Sequence, residues 1–410
     1  MMSKEYNKDD IFNDFARIFS PGQLEHIRSL GLDIIEGKRQ GNYIFDSEGR
    51  RYIDCNTSSA TFNLGRRPPE IIKELKKTMY ETDQGNFPMI SREKATLGSM
   101  LADFVPGDLE CSVFSVIRGE TMEFACKLAR GYTGRKELIT VDGSWYGQTG
   151  FALSLSDRAD KESFAPLIPE INIIPYGDID AARRSITTRT AAVIIEPIQV
   201  ENHCRVADKA YLRGLRVICR ERGVILIFDE TQTGMGRTGK KFAFEYSGVI
   251  PDMLNIGEAL GAGVFPIAAT VFTQELNTFL NAHPLIHLST FGGSDLGCRV
   301  ACKVLEVSGR TRPWENALSM GEKLWDGIEA IMKDNKCIGS VSGMGLMLSM
   351  DMRTPEMARV FCRKAATHGI LTSPGEAARN TVLIRPALTI TADDVDRIIE
   401  GISAAVNELG

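Results

Sequence analysis

The sequence lacks long apolar runs and any excess of positive charge. No apolar stretch approaches the roughly 18 residues that cross a bilayer, and no Sec-type signal is found. The 48 lysines and arginines are outnumbered by 53 aspartates and glutamates, which leaves a net charge of −5. Such a charge provides no overall basic surface for nucleic acid. We therefore expect a cytoplasmic protein that binds neither membranes nor nucleic acid.

Cysteine pairs with the spacing of metal ligands are also missing. None of the nine cysteines forms a Cys-x-x-Cys pair, which argues against a disulfide framework and a structural zinc site. Cys298 and Cys302 lie four residues apart on a predicted helix, but no nearby histidine or carboxylate pair completes a site. His283 and His287 have the same spacing, yet Pro284 between them favours a loop. We predict no metal site.

The composition is that of a large globular protein. With 410 residues, 43% of them hydrophobic and 25% charged, the chain can bury a large core and has room for more than one domain. From Cys111 onwards, short apolar runs alternate with helical patterns. Strands are predicted at 112–117, 137–141, 171–174, 191–196, 224–229, 253–256 and 265–272. Helices are predicted at 120–130, ended by Gly131, and at 207–221. Strands separated by helices indicate an α/β fold with a mostly parallel sheet covered on both faces.

The pattern changes after about residue 308. A predicted strand pair at 339–351 lies between predicted helices at 313–333 and 354–368. A last helix is predicted to begin near Thr391. These elements indicate a smaller α+β unit, which a predicted hairpin at 42–54 completes. We therefore divide the chain into an N-terminal part of the small domain (1–55), a large ligand-binding domain (56–308) and a C-terminal small domain (309–410).

The most informative stretch runs from residue 223 to residue 239. Residues 223–228 are a short apolar run of buried-strand type, and Asp229 follows it directly. A carboxylate at the carboxyl end of such a strand faces the crevice where open α/β sheets bind ligands. A second predicted strand, at 253–256, leads into the segment Gly-Glu-Ala-Leu-Gly at 257–261. We therefore expect a ligand site at this edge of the sheet.

Together these motifs resemble the core signature of class III aminotransferases, which are fold type I enzymes that use pyridoxal phosphate (PLP). The resemblance extends from Asp46 to about Leu388 and includes several motifs in the family's order. It implies a large domain with a mostly parallel sheet of seven-stranded type and a smaller α+β domain. It also implies a homodimer with a shared active site.

The resemblance further implies roles for four residues around the cofactor. Asp229 would bond the pyridine nitrogen and keep it protonated, and Gln232 would lie near the 3-oxygen of the ring. Trp145 occupies the place of the aromatic residue that stacks on the ring. Thr290 matches the threonine that reaches the phosphate from the neighbouring subunit. If they have no role in ligand binding, Trp145 would be a core residue and Asp229 a loop carboxylate.

One departure from the family pattern lies in the phosphate-binding turn. The family has a small, hydroxyl-rich turn at a helix N-terminus, where free amides bind the phosphate. This chain has, in order, Ile117, Arg118, Gly119, Glu120 and Thr121. The last three are predicted to bind the cofactor, together with Trp145, Asp229, Gln232 and Thr290. Arg118 has two open roles: it either binds a phosphate through its guanidinium or fills the pocket and pairs with Glu258 or Asp229.

The other departure is Glu258, at the position where the family has the lysine that holds PLP as a Schiff base. A carboxylate forms no imine, but it can transfer protons, especially if burial near Asp229 raises its pKa. We therefore expect no covalently held cofactor, with PLP or its pyridoxamine form (PMP) bound non-covalently if at all. Glu258 and Asp229 are the predicted catalytic residues. The predicted substrate-binding residues are Arg118, Glu196 and Arg385.

Three functions remain open on the sequence. The leading hypothesis is a class III aminotransferase-like enzyme that uses Glu258 as acid or base to isomerise, dehydrate or cyclise a small anionic metabolite. The alternatives are a PLP-dependent aminotransferase and a non-catalytic partner subunit of an aminotransferase. If these two residues have no functional role, Glu258 would be a solvated loop charge and Arg385 would form a surface ion pair.

Overall fold

The chain alternates helices and strands through most of its length. The computed structural model describes residues 7–85 and 89–409. The first elements are α1 (Lys8–Ile18), α2 (Pro21–Ser29), β1 (Glu36–Gln40), β2 (Tyr43–Asp46), β3 (Arg51–Asp54), α3 (Thr57–Ala60), α4 (Pro69–Glu81) and α5 (Arg92–Phe104).

The central elements follow the same alternation. They are β4 (Cys111–Ser115), α6 (Arg118–Thr133), β5 (Glu137–Val141), α7 (Gly150–Leu155), β6 (Ile171–Ile174), α8 (Ile179–Ser185), β7 (Thr190–Ile195), β8 (Ile198–Gln199), β9 (Arg205–Val206), α9 (Lys209–Arg222), β10 (Ile225–Glu230), β11 (Met253–Ile256) and β12 (Ala268–Phe272). Short 3-10 turns occur at Ala159–Phe164, Ala243–Tyr246 and Glu258–Gly261.

The remaining elements include the C-terminal elements of the smaller part of the fold. They are α10 (Gln274–Ala282), α11 (Asp295–Thr311), α12 (Pro313–Asp334), β13 (Ser340–Met344), β14 (Met347–Asp351), α13 (Pro355–Thr367), β15 (Ile370–Leu371), β16 (Ser373–Pro374), β17 (Thr381–Ile384) and α14 (Ala392–Asn407).

A seven-stranded sheet forms the centre of the larger part, in the order β4-β12-β11-β10-β7-β5-β6. Strand β10 runs parallel to both β7 and β11, and β5 runs parallel to β6 and β7. Only β12 is antiparallel to its two neighbours among the strands of this sheet that the structure describes. The predicted mostly parallel sheet is therefore confirmed.

The sequences of the central strands explain why both faces of the sheet are covered. Every residue of β7 and β10 is buried, as is expected of parallel strands with helices on both sides. Helix α6 places Met122, Ala125 and Cys126 in one apolar cluster against the sheet, and α9 contributes to another. The polar residues that end β10 are thereby held at the edge of a rigid apolar core.

The smaller part combines the two ends of the chain. One of its sheets has the order β13-β14-β17-β16, and the other has the order β1-β2-β3-β15. In the second sheet, Ile53 of β3 pairs in parallel with Ile370 of β15. Ile53 also shares an apolar cluster with residues of α12, α13 and α14. The hairpin at 42–54 is confirmed as β2 and β3, and the division into three segments stays a prediction.

Two local features differ from the sequence-based expectation. Strand β1 was not predicted, because all five of its residues are exposed and polar or glycine, with no apolar alternation. Helix α6 does not end at Gly131 but continues to Thr133, and Gly134 ends it with φ +67°. A Cβ at Gly131 would lie 2.4 Å from Cζ of Phe279. This glycine therefore allows a close helix contact and does not terminate the helix.

The helices were compared with the length and apolar character that a membrane span requires. Within residues 7–85 and 89–409, none is at once long and apolar enough to cross a bilayer.

A buried ion pair supports an unusual turn after β3. Residues 57–60, which form α3, have φ values of 50°, 48°, 55° and 69°, a left-handed conformation that costs on the order of 1–2 kcal/mol per residue. Asp54 accepts hydrogen bonds from the backbone N of Asn56 (3.1 Å) and Thr57 (2.8 Å) at the start of this turn. The other carboxylate oxygen of Asp54 accepts from Arg66 Nη2 at 2.7 Å. Both partners of this pair are buried.

Removal of Arg66 is expected to destabilise the fold strongly. In an Arg66→Leu variant, Asp54 would stay buried without its counter-charge, and we expect the free energy of unfolding to fall by about 3–5 kcal/mol. Urea denaturation followed by circular dichroism measures the change. Arg310→Leu is the matched control, because Arg310 pairs with Glu70 at the surface and should change stability by less than about 1 kcal/mol. Equal losses in the two variants would contradict this role for the Asp54–Arg66 pair.

Candidate active site

The candidate site lies where parallel strands of the central sheet end. Asp229 and Glu230 are the last residues of β10, and Glu196 directly follows the end of β7. Because β7 and β10 are adjacent and parallel, their carboxyl ends meet at one edge of the sheet. Gly257, which follows β11, packs so closely on Thr231 that a Cβ there would lie 2.3 Å from the Thr231 carbonyl oxygen. This approach brings Glu258 to the same edge.

Asp229 is a buried carboxyl group without a salt bridge among the described residues. Its Oδ1 accepts a hydrogen bond from Thr231 N at 2.8 Å. Burial raises the pKa of Asp229 to about 6, although the bonds from Thr231 and the charge of Arg118 oppose the shift. The group is therefore suited to receive a cationic partner from a ligand.

Glu196 positions Trp145. Its Oε1 accepts a hydrogen bond from Trp145 N at 3.0 Å. Burial, followed by the neighbouring charge of Asp229, raises the pKa of Glu196 well above its ordinary value. The indole Nε1 of Trp145 is buried and has no hydrogen-bond partner in the described part of the chain. Trp145 is thus held at the site by its backbone, while its ring stays available for a ligand.

Arg385 lies in a buried network, which excludes the surface ion pair considered above. Its Nη1 donates to Glu201 Oε1 at 2.9 Å and to Gln232 Oε1 at 2.7 Å. Gln232 Nε2 in turn donates to Glu201 Oε1 at 3.1 Å. Burial alone would raise the pKa of Glu201, but Arg385 and the hydrogen bonds hold it below its ordinary value. Glu201 was missed in the sequence, although it lies close after strand β7.

The structure shows the contacts of Arg118, for which the sequence left two roles open. Its backbone N donates to Glu258 Oε1 at 2.9 Å, and its Nε and Nη2 lie 3.3 and 3.2 Å from Glu258 Oε2. The Arg118 guanidinium carbon is also 5.9 Å from the ring centroid of Trp145. The side chain of Glu258 is 18% exposed. Arg118 therefore pairs with Glu258, which is an internal ion-pair partner and not a solvated loop charge.

The turn before α6 is closed by side chains of this chain. Glu120 Oε2 accepts from Val116 N at 2.7 Å, and Thr121 Oγ1 donates to the Arg118 carbonyl at 2.7 Å. Ile117 precedes the helix and offers it no side-chain hydrogen bond. A Cβ at Gly119 would lie 2.8 Å from Thr149 Oγ1. The start of α6 is thus capped by Glu258, at the place where the family resemblance predicts a phosphate.

Thr290 is not brought to this edge by any contact that the structure describes. It is exposed and takes part in none of the hydrogen bonds among residues 7–85 and 89–409. Its predicted role requires a second subunit, so it remains a prediction.

A cavity of about 480 Å³ opens beside these residues. Asn56, Ser59, Trp145, Glu201 and Arg385 are part of its lining. The cavity therefore reaches from the Trp145 ring to the Arg385 network. Its lining does not include Asp229, Arg118 or Glu258.

Comparison with known proteins identifies relatives over nearly the whole chain. The sequence model of the family described as aminotransferase class-III matches residues 29–406. An uncharacterized aminotransferase of Archaeoglobus fulgidus is 36% identical over 97% of this chain and 94% of its own length. The putrescine aminotransferase of Pectobacterium atrosepticum is 34% identical over 95% of this chain and 87% of its own length.

Solved structures share the fold. The ornithine aminotransferase of Toxoplasma gondii superimposes with a TM-score of 0.90, covering 99% of this chain and 96% of that one at 24% identity. An amine transaminase from an uncultivated Pseudomonas species has a TM-score of 0.85 at 22% identity, covering 92% of this chain and 95% of that one. That structure is described as the PLP-bound internal aldimine form, in which the cofactor is held covalently.

These findings correct the expectation about the cofactor. The sequence predicted no covalently held cofactor, with PLP or PMP bound non-covalently at most. The relatives are aminotransferases, and the family evidence points to covalently bound PLP, so that expectation is wrong. That expectation rested on Glu258 alone, whose carboxylate forms no imine. Its correspondence to the family's lysine is not tested by the comparisons and stays a prediction.

The residues at the sheet edge fit the ring of PLP. The buried carboxyl group of Asp229 has no salt bridge among the described residues, so it could bond the ring nitrogen. Trp145 could provide an aromatic face for the ring. Glu258 carries no amine, and the contacts of the described residues assign the covalent link to no side chain.

The family model spans most of the sequence, and relatives above 30% identity cover nearly all of it. The chain is therefore a member of the class III aminotransferase family.

Proposed function

We propose that the protein is a PLP-dependent aminotransferase that acts on a small amino compound. The observation that carries this proposal is the buried carboxyl group of Asp229 at the end of β10, close to Glu196, which bonds Trp145. Membership of the aminotransferase family supports the same reaction class. PLP, when bound, supplies an electron-withdrawing ring that stabilises negative charge on the substrate.

The chain's own residues would bind and orient this ring. Asp229, when ionised, would pair with the protonated ring nitrogen, and Trp145 would cover one face of the ring. Glu196 keeps Trp145 in place through the bond to its backbone N. Gln232 is held by Glu201 and Arg385, so its placement depends on the same network that faces the cavity. Gly119, Glu120 and Thr121 at the start of α6 would lie on the phosphate side.

The substrate is proposed to be small and to carry a carboxylate. Arg385 lines the cavity, but Glu201 already neutralises it at 2.9 Å. A substrate carboxylate would have to replace Glu201 at the guanidinium, since a bidentate contact uses the same donors. Arg118 and Glu196 are the other proposed substrate-side residues. An amine without a carboxylate would leave the Arg385–Glu201 pair intact.

We also propose a homodimer in which the site is shared. Exposed apolar side chains surround Thr290 in the sequence: Leu285, Ile286, Leu288 and Phe291 are each more than half exposed. Another exposed pair, Met89 and Ile90, lies beside Ser91, which bonds Asp295 just after this segment. Contiguous apolar surface of this kind is typical of an interface between subunits. Thr290 would then reach the partner's site.

A second candidate function rests on the carboxylate at position 258. Glu258 and Asp229 would act as acid and base on a small anionic metabolite, in an isomerisation, dehydration or cyclisation. Glu258 would first have to separate from Arg118, to which it is bonded at three points. No specific contact favours the third possibility, a non-catalytic partner subunit.

Binding of PLP is expected to depend on pH through Asp229. Its raised pKa of about 6 means that the carboxyl group is neutral below this pH and ionised above it. Only the ionised form attracts a cationic ring nitrogen, so the affinity should rise as the pH increases through about 6. Tryptophan fluorescence quenched by added PLP measures the affinity.

The control for that titration is Asp229→Asn. This variant should bind PLP about 10- to 100-fold more weakly at pH 8, as is typical when a charged hydrogen-bond partner is lost, and should lose the pH step. An affinity that still rises near pH 6 in the variant would assign the titration to another group.

Reduction with borohydride followed by peptide mapping would identify the residue that holds the cofactor.

Mixed subunits test the shared site. Thr290→Ala and Asp229→Asn homodimers should each bind PLP weakly, because each has a defect in both sites. In a reassociated equimolar mixture, half of the dimers would be mixed, and about one site in four would carry neither change. Tight binding should therefore reappear at about that stoichiometry. Thr278→Ala, a change on the exposed face of α10, serves as control and should bind normally by itself. If the mixture stays weak, Thr290 does not act across the interface.

Glu258→Gln tests the second candidate function. If Glu258 transfers the proton, turnover of an identified substrate should fall by about 100-fold or more, while PLP binding stays unchanged. Glu275→Gln, which alters an exposed carboxylate bonded to Tyr132, should retain full turnover. Unchanged turnover in Glu258→Gln would eliminate the acid–base function.

A further inference from the structure

The loop between β5 and α7 ends at a carboxylate of α6. Residues 143–149 form this loop, and its last residue, Thr149, donates through Oγ1 to Glu123 Oε1 at 2.8 Å. The same carboxylate oxygen accepts from the backbone N of Phe151 at 2.7 Å and from that of Ala152 at 3.3 Å. One oxygen of Glu123 therefore receives three donors at the start of α7.

Glu123 supplies a helix cap that the loop itself does not provide. The first backbone N–H groups of a helix have no acceptor within that helix. Thr149 is at the N-cap position of α7, but its side chain accepts no hydrogen bond from these groups in the described part of the chain. Since Phe151 and Ala152 are buried, their amides need an acceptor from the protein. The carboxylate of Glu123 meets this need from a neighbouring helix.

The same loop packs on the start of α6. A Cβ at Gly119 would lie 2.8 Å from Thr149 Oγ1 and 2.9 Å from Thr149 Cγ2. A Cβ at Gly147 would lie 3.8 Å from the Cα of Gly119. Glycine at position 119 permits this approach, because any side chain there would collide with Thr149. The loop is thus packed against the turn where the family resemblance predicts the phosphate.

Glu123 connects the two sides of the proposed cofactor site. It lies one helical turn after Gly119, at the start of α6. Its carboxylate holds Thr149, which follows Trp145 by four residues. Glu196 holds Trp145 itself through the backbone N at 3.0 Å. With the loop held at both points, the distance between the Trp145 ring and the start of α6 is set by these two carboxyl groups.

We propose that Glu123 is a positioning residue that fixes the spacing between the Trp145 ring and the start of α6. A ligand that spans both, as PLP would with its ring and its phosphate, depends on this spacing. A ligand that reaches only the ring does not. The cofactor part of the inference rests on the proposed function, whereas the hold of Glu123 on the loop rests on its own contacts.

The affinities of PLP and pyridoxal test the spacing. The two molecules have the same ring, but pyridoxal lacks the phosphate. Glu123→Gln keeps the size of the side chain and removes the charge that three donors share. We expect the affinity for PLP to fall about 10-fold, as when a charged hydrogen-bond acceptor is lost, and that for pyridoxal to change less than about 2-fold. Quenching of tryptophan fluorescence measures both affinities.

Glu245→Gln is the matched control. Glu245 is partly buried, as Glu123 is, and its Oε1 accepts from Phe242 N at 2.8 Å. It therefore also caps a short helical turn, at Ala243–Tyr246. This variant should lower the melting temperature about as much as Glu123→Gln does. It should keep the wild-type affinities for both ligands, because its turn does not contact the loop at 143–149.

Hydrogen exchange followed by mass spectrometry examines the loop in the absence of any ligand. Loss of the cap weakens the start of α7, so local opening there should become more frequent. In Glu123→Gln, we expect the amides of residues 143–152 to exchange about 10-fold faster than in the wild-type protein, in line with the loss of one charged hydrogen bond. In Glu245→Gln, exchange in this segment should stay at the wild-type rate.

Two results would overturn the proposal. In one, residues 143–152 exchange no faster in Glu123→Gln than in Glu245→Gln, which would show that the carboxylate does not hold the loop. In the other, Glu123→Gln lowers the affinities for PLP and pyridoxal by the same factor, so that the spacing is not what Glu123 sets. A wild-type protein that binds neither ligand, with the expected exchange in both variants, would lose the proposed function and retain the hold of Glu123 on the loop.

Discussion

The whole site depends on the parallel pairing of β7, β10 and β11. Parallel strands require their connections to cross back over the sheet, so the polar residues that follow each strand meet at one edge. Asp229, Glu196 and Glu258 are far apart in sequence, yet they come together for this reason. Burial then determines their chemistry, because the apolar strands behind them exclude water and raise the pKa of Asp229 and Glu196.

The balance of charge at this edge follows from the same burial. A buried arginine is stable only when a carboxylate or carbonyl oxygens compensate for its lost hydration. Here the chain supplies Glu258 for Arg118 and Glu201 for Arg385. The charges of the two arginines are therefore balanced within the chain.

Much of the fold could be predicted from the sequence, since strands such as β10 are continuous apolar runs bounded by turn residues. Strand β1 could not be predicted, because this exposed edge strand has no alternation of apolar residues to identify it. Asp229 and Trp145 were found through motifs. Glu201 was missed, because its importance depends on Arg385, which is distant in sequence and joins it only in the folded chain. The left-handed turn has no sequence signal, since it lacks the glycine that usually marks such a backbone.

The parallel pairing of β3 with β15 has a consequence for synthesis on the ribosome. Ile53 near the N-terminus completes its sheet with Ile370, which emerges some three hundred residues later. At a typical rate of about 5–20 residues per second, the hairpin of β2 and β3 waits for tens of seconds without its neighbour. Tyr52 and Ile53, both buried in the finished molecule, face solvent or a chaperone during that interval.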